Sequence, residues 1–388
     1  MIHSVYEYQY NNRQNVPIVR QVRIAIDARE LHGSGVGRYL DKLLQYLQEV
    51  DTDPTHHYVI LLKPLDMESW TPENKRFEKV ACPYKEFTFT EQIGFLSQLS
   101  QLQLDLVHFP MVQQPVLYRS KVVTTMQDLT TLRFTNPSKN IIAFKIKQSV
   151  YKWVNIIAAR KSAAIITPSE FVKDDVARYT HSNSRKFTVT YEAGDSIAAA
   201  AEAVPGLIDT SFIMYVGRPM THKNLPRLVD AFAVLKQSHP DLHLVLAGKR
   251  DTLFRHHEHD TKRKGIPDVH FTGFVSDAQL KWLYEHCSAY VFPSLSEGFG
   301  LPGLEAMSHG APVVSSNATC LPEVYGNAAE YFDPTDSNAM AAAIAAVIDS
   351  PKLRDKLIAA GKERVKTYSW KRMAEQTLYV YRQVLGEK

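Results

Sequence analysis

At 388 residues the chain is too long for one compact core, and two domains of ordinary size are expected. A composition of 45% hydrophobic and 22% charged residues excludes a disordered or fibrous chain. The net charge of +4 is spread along the sequence without a long Lys/Arg block, which argues against nucleic acid as a partner.

The first twenty residues lack the apolar centre of a signal peptide and read as a flexible lead-in, 1–20. VRIAIDA (22–28) is a β-branched run of strand length, and beyond a loop GRYLDKLLQYLQEV repeats Leu and Tyr at helical spacing. YVILL (58–62), LDLVHF (104–109) and KVVTTM (121–126) are continuous apolar runs, the pattern of parallel strands buried on both faces. AAIITP (163–168) adds a strand, Ser169 is placed to cap the next helix, and KFTVTYEAG closes a first domain over 21–195. The Ala-rich stretch that follows, with its Gly and Pro, reads as a linker, 196–210. Strand and helix then alternate again from SFIMYVGR through LHLVLAG, VHFTGF, SAYVFPS and APVVSS, a second domain over 211–367. The amphipathic end, 368–388, reads as a helix crossing back to the first domain. The expected fold class is α/β, two Rossmann-like doubly wound sheets that bind ligands at the carboxyl ends of their strands. Cys82, Cys287 and Cys320 lie far apart without CxxC spacing, so neither a disulfide framework nor a thiolate metal site is expected, and a reducing cytoplasm fits. No stretch approaches the length of apolar sequence that spans a bilayer.

The chemistry concentrates in SLSEGFGLPGLEAMSHGAPVV (294–314), where Glu297 and Glu305 flank a glycine-rich bend. Pro302 suits the first turn of a helix and Gly310 its end, which predicts a helix over 302–309. The amino end of that helix, at Gly298, Phe299, Gly300 and Leu301, is a natural site for an anion such as phosphate. Glu305 is placed to accept from the vicinal hydroxyls of a ribose, and Glu297 to hold a second polyol; a nucleotide sugar satisfies both. The plain alternative is a helix-capping acid beside a turn.

The extended match decides between them. EGFGLPGLEAMSHGAPVVSSNATCLPEV (297–324) resembles the EX7E region of the retaining GT-B glycosyltransferases of family 4, and VGRPMTHKN (216–224) is similar to the family's G-R-x4-K-N segment. The resemblance implies that Arg218 and Lys223 neutralise the departing diphosphate, chemistry that a guanidinium and an ammonium beyond a strand also support unaided. GFVSDAQL (273–280) resembles the segment that contacts the base near Phe274 and Val275, with packing an equal role for Phe274. GSGVGRYL (33–40) resembles the family's glycine loop, which makes Gly35 and Gly37 candidates for close approach to phosphate. TMQDLTTLRFTNP (125–137) resembles the loop whose His-Asp pair borders the donor sugar; Gln127 stands at the histidine position, followed by Asp128, which also suits a plain turn. Glutamine keeps donor and acceptor capacity but carries no proton at neutral pH.

The resemblance covers about 22–385 and implies a retaining, metal-independent hexosyltransferase using a nucleoside-diphosphate sugar and no separate cofactor. Its implied acceptor is a hydroxyl of a saccharide or lipid-linked saccharide in polysaccharide biosynthesis, with mannose carried on GDP as the first guess. Gln127 keeps open a catalytically silent nucleotide-sugar-binding homologue, and a nicotinamide-dependent oxidoreductase is disfavoured by Arg38 at the third glycine position of the loop. DTD (51–53) reads as a polar turn ahead of Pro54, and RHHEHD (255–260) as a solvated helix without further zinc ligands. The stretch 139–163 mixes apolar residues with cations including Lys145, Lys147 and Lys152; it reads as a covering helix, with peripheral contact on the inner face of a membrane as the alternative.

Overall fold

A computed structural model describes residues 20–33, 35–134 and 141–387, with side chains of 141–147 excepted. The flexible lead-in expected over 1–20 lies outside the described residues except for Arg20, as do positions 135–137 of the TMQDLTTLRFTNP segment.

Strands β1 (Val22–Asp27), β2 (His56–Leu62), β3 (Phe77–Ala81), β4 (Leu106–Phe109), β5 (Val122–Thr125), β6 (Ala164–Thr167) and β7 (Phe187–Val189) form a seven-stranded sheet, order β3-β2-β1-β4-β5-β6-β7. Strands β8 (Phe212–Val216), β9 (His243–Ala247), β10 (Val269–Gly273), β11 (Ala289–Phe292), β12 (Val313–Ser316) and β13 (Ala329–Phe332) form a six-stranded sheet, order β10-β9-β8-β11-β12-β13. The described pairings are parallel in both. Each order reverses direction beside its first strand, between β1 and β4 and between β8 and β11, which opens a ligand crevice at the carboxyl ends of those strands. Of the described residues, one compact unit collects those up to Met126, Val154–Ile166 and those from Ala374 onward; the other collects those within Gln127–Trp153 and Thr167–Met373.

Local sequence explains the elements. The helix Gly35–Val50 turns Tyr39, Leu40, Leu43, Leu44 and Leu47 inward at helical spacing. Central strands such as β5, β8, β11 and β12 are apolar or small throughout because helices cover both faces, and β4 departs from this only at the buried His108. β3 and β13 were not expected from the sequence. Both are edge strands, half solvated, so FEKVA and AEYF lack the unbroken apolar run that marks a buried strand. In the stretch expected as a linker, Val204 and Leu207 are buried in the core of the second unit.

Asp51 and Asp53 make the expected turn, Asp51 Oδ1 accepting from the Asp53 amide at 3.1 Å and Asp53 Oδ1 from the Thr55 amide at 2.8 Å. Asp51 is also fully buried and accepts from Tyr58. RHHEHD lies in the helix Thr252–Arg263, where His256 pairs with Asp260 on the solvated side at 3.1 Å. The basic stretch forms the helix Ile141–Lys161; Lys152 is exposed, whereas the side chains of Lys145 and Lys147 lie outside the described residues. Among the described residues, no helix is long and apolar enough to cross a membrane.

Candidate active site in the second unit

Loops at the carboxyl ends of β8 and β11 carry the two halves of the site. After β8 the chain passes Gly217 and Arg218, makes a tight turn at Thr221–Lys223 and enters the helix Leu225–Leu235 through Asn224 in a left-handed conformation, φ 60°. Asn224 Nδ2 donates to the carbonyls of Pro293 at 3.1 Å and Pro334 at 2.7 Å, and the Leu295 amide donates to the His222 carbonyl at 2.7 Å. These bonds fasten the β8 loop to the segment after β11. They bring Lys223 Nζ to 2.6 Å from Glu297 Oε1 and place the ammonium 5.3 Å from the centre of the Phe292 ring. Arg218 is turned elsewhere. Its Nε donates to Asp251 Oδ2 at 3.0 Å, and the side chain is 66% exposed.

Glu297 is held along its main chain as well as its side chain. Its amide donates to Thr319 Oγ1 at 3.1 Å, and its carbonyl accepts from Cys320 Sγ at 3.3 Å. Thr319 has φ 55°, a left-handed conformation unusual for a β-branched residue. Gly298 follows, and a Cβ there would lie 2.0 Å from the Gln127 carbonyl oxygen, so only glycine permits this approach. Ser169 caps its helix, accepting from the Val172 amide, and donates to the Gly298 carbonyl at 2.8 Å. Gly300 takes φ 100°, with its carbonyl accepting from Tyr325 Oη at 2.6 Å, and opens the helix Leu301–Ser308 with no side chain capping its amino end. That helix starts one residue before the predicted 302. Its dipole and amino-terminal amides are therefore presented at the glycine bend. Glu305 is buried within this helix, 9% exposed. Phe299 is a core residue, its ring tilted against Tyr191 and edge-on to Tyr368, so its main chain rather than its side chain is available to a ligand. Leu301 is half-buried against the same core.

Gln127 and Asp128 belong to this unit and face the bend. Among the described residues the Gln127 Nε2 is buried without a hydrogen-bond partner. Asp128 makes the turn that its sequence allows, one oxygen accepting from the Thr130 amide at 2.8 Å. Burial pushes its carboxyl above the ordinary range; the Thr130 amide opposes this, the Glu297 charge adds to it and Lys223 pulls it back. His222, which the motif reading passed over, is pushed down to about 4 by burial and then by Lys223, so it is neutral at pH 7. Thr130 Oγ1 meets Ser296 Oγ at 2.8 Å and closes the same group of loops.

Phe274 is 83% exposed, which overturns the packing alternative, and Val275 is partly buried against the core of the second unit. Gly35 opens the helix Gly35–Val50 in the first unit, and Gly37 is buried in its first turn. Sequence reasoning missed Thr319, Cys320 and Tyr325 and the bond from Ser169 to Gly298. None has a local signal, since each acts on a residue twenty or more positions away.

A cation, an acid and an uncapped helix end converge here, the equipment for a diphosphate joined to a polyol. Residues 204–364 match the family of glycosyl transferases group 1. The chain is 27% identical over 394 residues, covering 95% of each protein, to O-antigen chain mannosyltransferase B of Escherichia coli. In structure it is similar to sucrose-phosphate synthase from Thermosynechococcus elongatus, TM-score 0.75 at 19% identity, covering 94% of this chain and 100% of that one. Anabaena HepE in complex with UDP and glucose gives a TM-score of 0.69 at 17% identity, over 93% and 99% of the two chains. The fold is GT-B. The match to glycosyl transferases group 1 covers 204–364, the greater part of the second unit.

Proposed function

We propose that the protein transfers mannose from a nucleoside-diphosphate sugar, GDP-mannose as the first choice, to a hydroxyl of a saccharide or lipid-linked saccharide during polysaccharide synthesis. The mannosyltransferase similarity over 95% of the chain supports the sugar, and the complex of HepE with UDP and glucose supports a nucleotide-linked donor. The observation that carries the reading is the Lys223–Glu297 pair at 2.6 Å beside the uncapped amino end of the helix Leu301–Ser308. In this reading Lys223 and the helix amides take the diphosphate, with Arg218 joining from its exposed position beside Asp251. Glu305 holds the ribose, Glu297 the sugar, and Gln127 Nε2 donates to a sugar hydroxyl. The bond from the anomeric carbon to the diphosphate breaks as the acceptor oxygen bonds to that carbon on the same face. The acceptor proton passes to the departing phosphate oxygen, which gives retention without a protein base. Positive charge from Lys223, Arg218 and the amides does the work that other enzymes assign to a metal. The reaction takes place on the cytoplasmic side.

A thermal-shift screen against GDP, UDP and ADP sugars tests the donor, since a ligand at a hundred times its Kd stabilises the folded form by about 2.7 kcal/mol. Glu305→Ala is expected to raise the donor Kd by about tenfold or more, the loss of one or two charge-assisted hydrogen bonds. Glu297→Ala is expected to cost chiefly kcat. Unchanged kinetics in both variants would reject these roles. Donor binding without product from a mixed acceptor pool would favour a silent binding homologue.

A further inference from the structure

In the first unit, residues 85–93 run as a strap across the carboxyl edge of the sheet, and three ties mark their course. Glu86 pairs with Lys63 beyond β2 at 3.2 Å, and Glu91 with Arg29 beyond β1 at 2.8 Å. Gln92 then clips the loop after β4, donating to the Gln114 carbonyl at 3.2 Å and accepting from the Val116 amide at 2.9 Å. The strap is stiff. Glu91 also accepts from the Phe87 amide at 2.9 Å and is buried, and Gly94 packs so closely under Tyr84 that a Cβ would lie 2.2 Å from its ring.

This arrangement sorts the side chains. Both carboxylates of the strap point inward to cations, whereas Phe87, Phe89 and Ile93 point outward, 65%, 88% and 72% exposed. Leu117 adjoins Ile93 through the Gln92 clip and is 66% exposed. The outward charges on the same two segments are cationic, from exposed Lys85 and Arg119. A cluster of large apolar groups on a stiff support, rimmed by basic residues, is costly in water and complementary to anionic headgroups over acyl chains.

We propose that the face formed by Phe87, Phe89, Ile93 and Leu117, rimmed by Lys85 and Arg119, docks on an anionic lipid bilayer. The rings and aliphatic groups enter the headgroup boundary while the two cations meet lipid phosphates. This surface lies outside the site residues named above, so it stands or falls independently of the reaction proposed for them.

Co-sedimentation of the full chain with vesicles of phosphatidylcholine, plain or doped with phosphatidylglycerol, tests the proposal. The protein is expected to pellet with the doped vesicles and to be released by salt. Phe89→Ser with Ile93→Ser is expected to lower the partition coefficient at least about tenfold. Lys85→Glu with Arg119→Glu, changes at exposed positions that spare the core, should weaken binding to the doped vesicles only. A wild-type protein left in the supernatant with doped vesicles would overturn the proposal, as would unchanged binding by both double variants. So would a dimer in analytical ultracentrifugation that Phe89→Ser with Ile93→Ser dissolves while vesicle binding persists, because the face would then belong to a second copy.

Discussion

Glu297 has its amide on Thr319 Oγ1 and its carbonyl on Cys320 Sγ, groups that touch no ligand in the proposed reaction, while its carboxylate lies on Lys223, which does. Thr319 maintains φ 55° to do so, a strain of about 1–3 kcal/mol that neighbouring contacts offset. Thr319→Ala removes one bond worth about 1 kcal/mol while the chain keeps its conformation. It should lower kcat several-fold and leave the donor KM nearly unchanged, which steady-state kinetics will resolve. Gly298→Ala is a harsher change, since its methyl carbon meets the Gln127 carbonyl oxygen at 2.0 Å and one of two main chains must move. The expected result is a loss of about 2–3 kcal/mol in denaturant unfolding together with most of the activity. A variant with wild-type stability would show that the Gln127 loop yields easily.

The final helix, Trp370–Leu385, is attached at its two ends in different ways. Near its start Trp370 Nε1 donates to Asp195 Oδ1 at 3.1 Å. Farther on, Tyr381 Oη lies 2.6 Å from His108 Nδ1, and His108 Nε2 lies 2.8 Å from Thr125 Oγ1. Burial holds His108 down to about 3, so it is neutral throughout the working range. Tyr381→Phe leaves a buried ring nitrogen without its partner and should cost about 1–3 kcal/mol by chemical denaturation. Just beyond the helix, His56 stands between Asp51 at 2.7 Å and Glu387 at 3.0 Å. Burial alone would lower the His56 pKa, but Asp51 and then Glu387 outweigh it and raise it above its ordinary value near 6.5. A raised folded-state value means that this contribution is complete below about pH 6.5 and is lost as pH rises through the folded value. Burial would raise Asp51, yet its bonds to His56 and Tyr58 hold it low, so its contribution is complete above about pH 4 and lost on further acidification. The melting temperature should therefore fall between pH 6.5 and the mildly alkaline range, and His56→Gln should flatten that limb; an identical slope in the variant would exclude the clamp.

Across the whole molecule, legibility in the sequence followed burial for the central strands, while β10, an edge strand, was legible from its VHFTGF run despite partial exposure. Runs such as YVILL and SAYVFPS announced β2 and β11 because strands covered on both faces must be apolar along their length, and the two alternating series declared a pair of doubly wound sheets. Edge strands β3 and β13 were silent for the same reason, being half in water. In the site, Lys223, Glu297 and the glycine bend were readable because they sit on short continuous motifs whose backbone demands are local. Their supports were not, because Ser169 lies 129 positions from Gly298 and Asn224 lies 110 from Pro334. Nor did any motif foretell that Arg218 would bond Asp251, that Phe274 would stand in solvent, or that Gln127–Trp153 would group with the second unit. The sequence by itself determined the buried strands, the periodic burial of the helices and the motif positions of Lys223, Glu297 and the glycine bend, all consequences of nearest-neighbour chemistry. Tertiary structure alone decided which distant loops meet, because such meetings depend on how packed layers bring chain-remote backbone groups within hydrogen-bond reach.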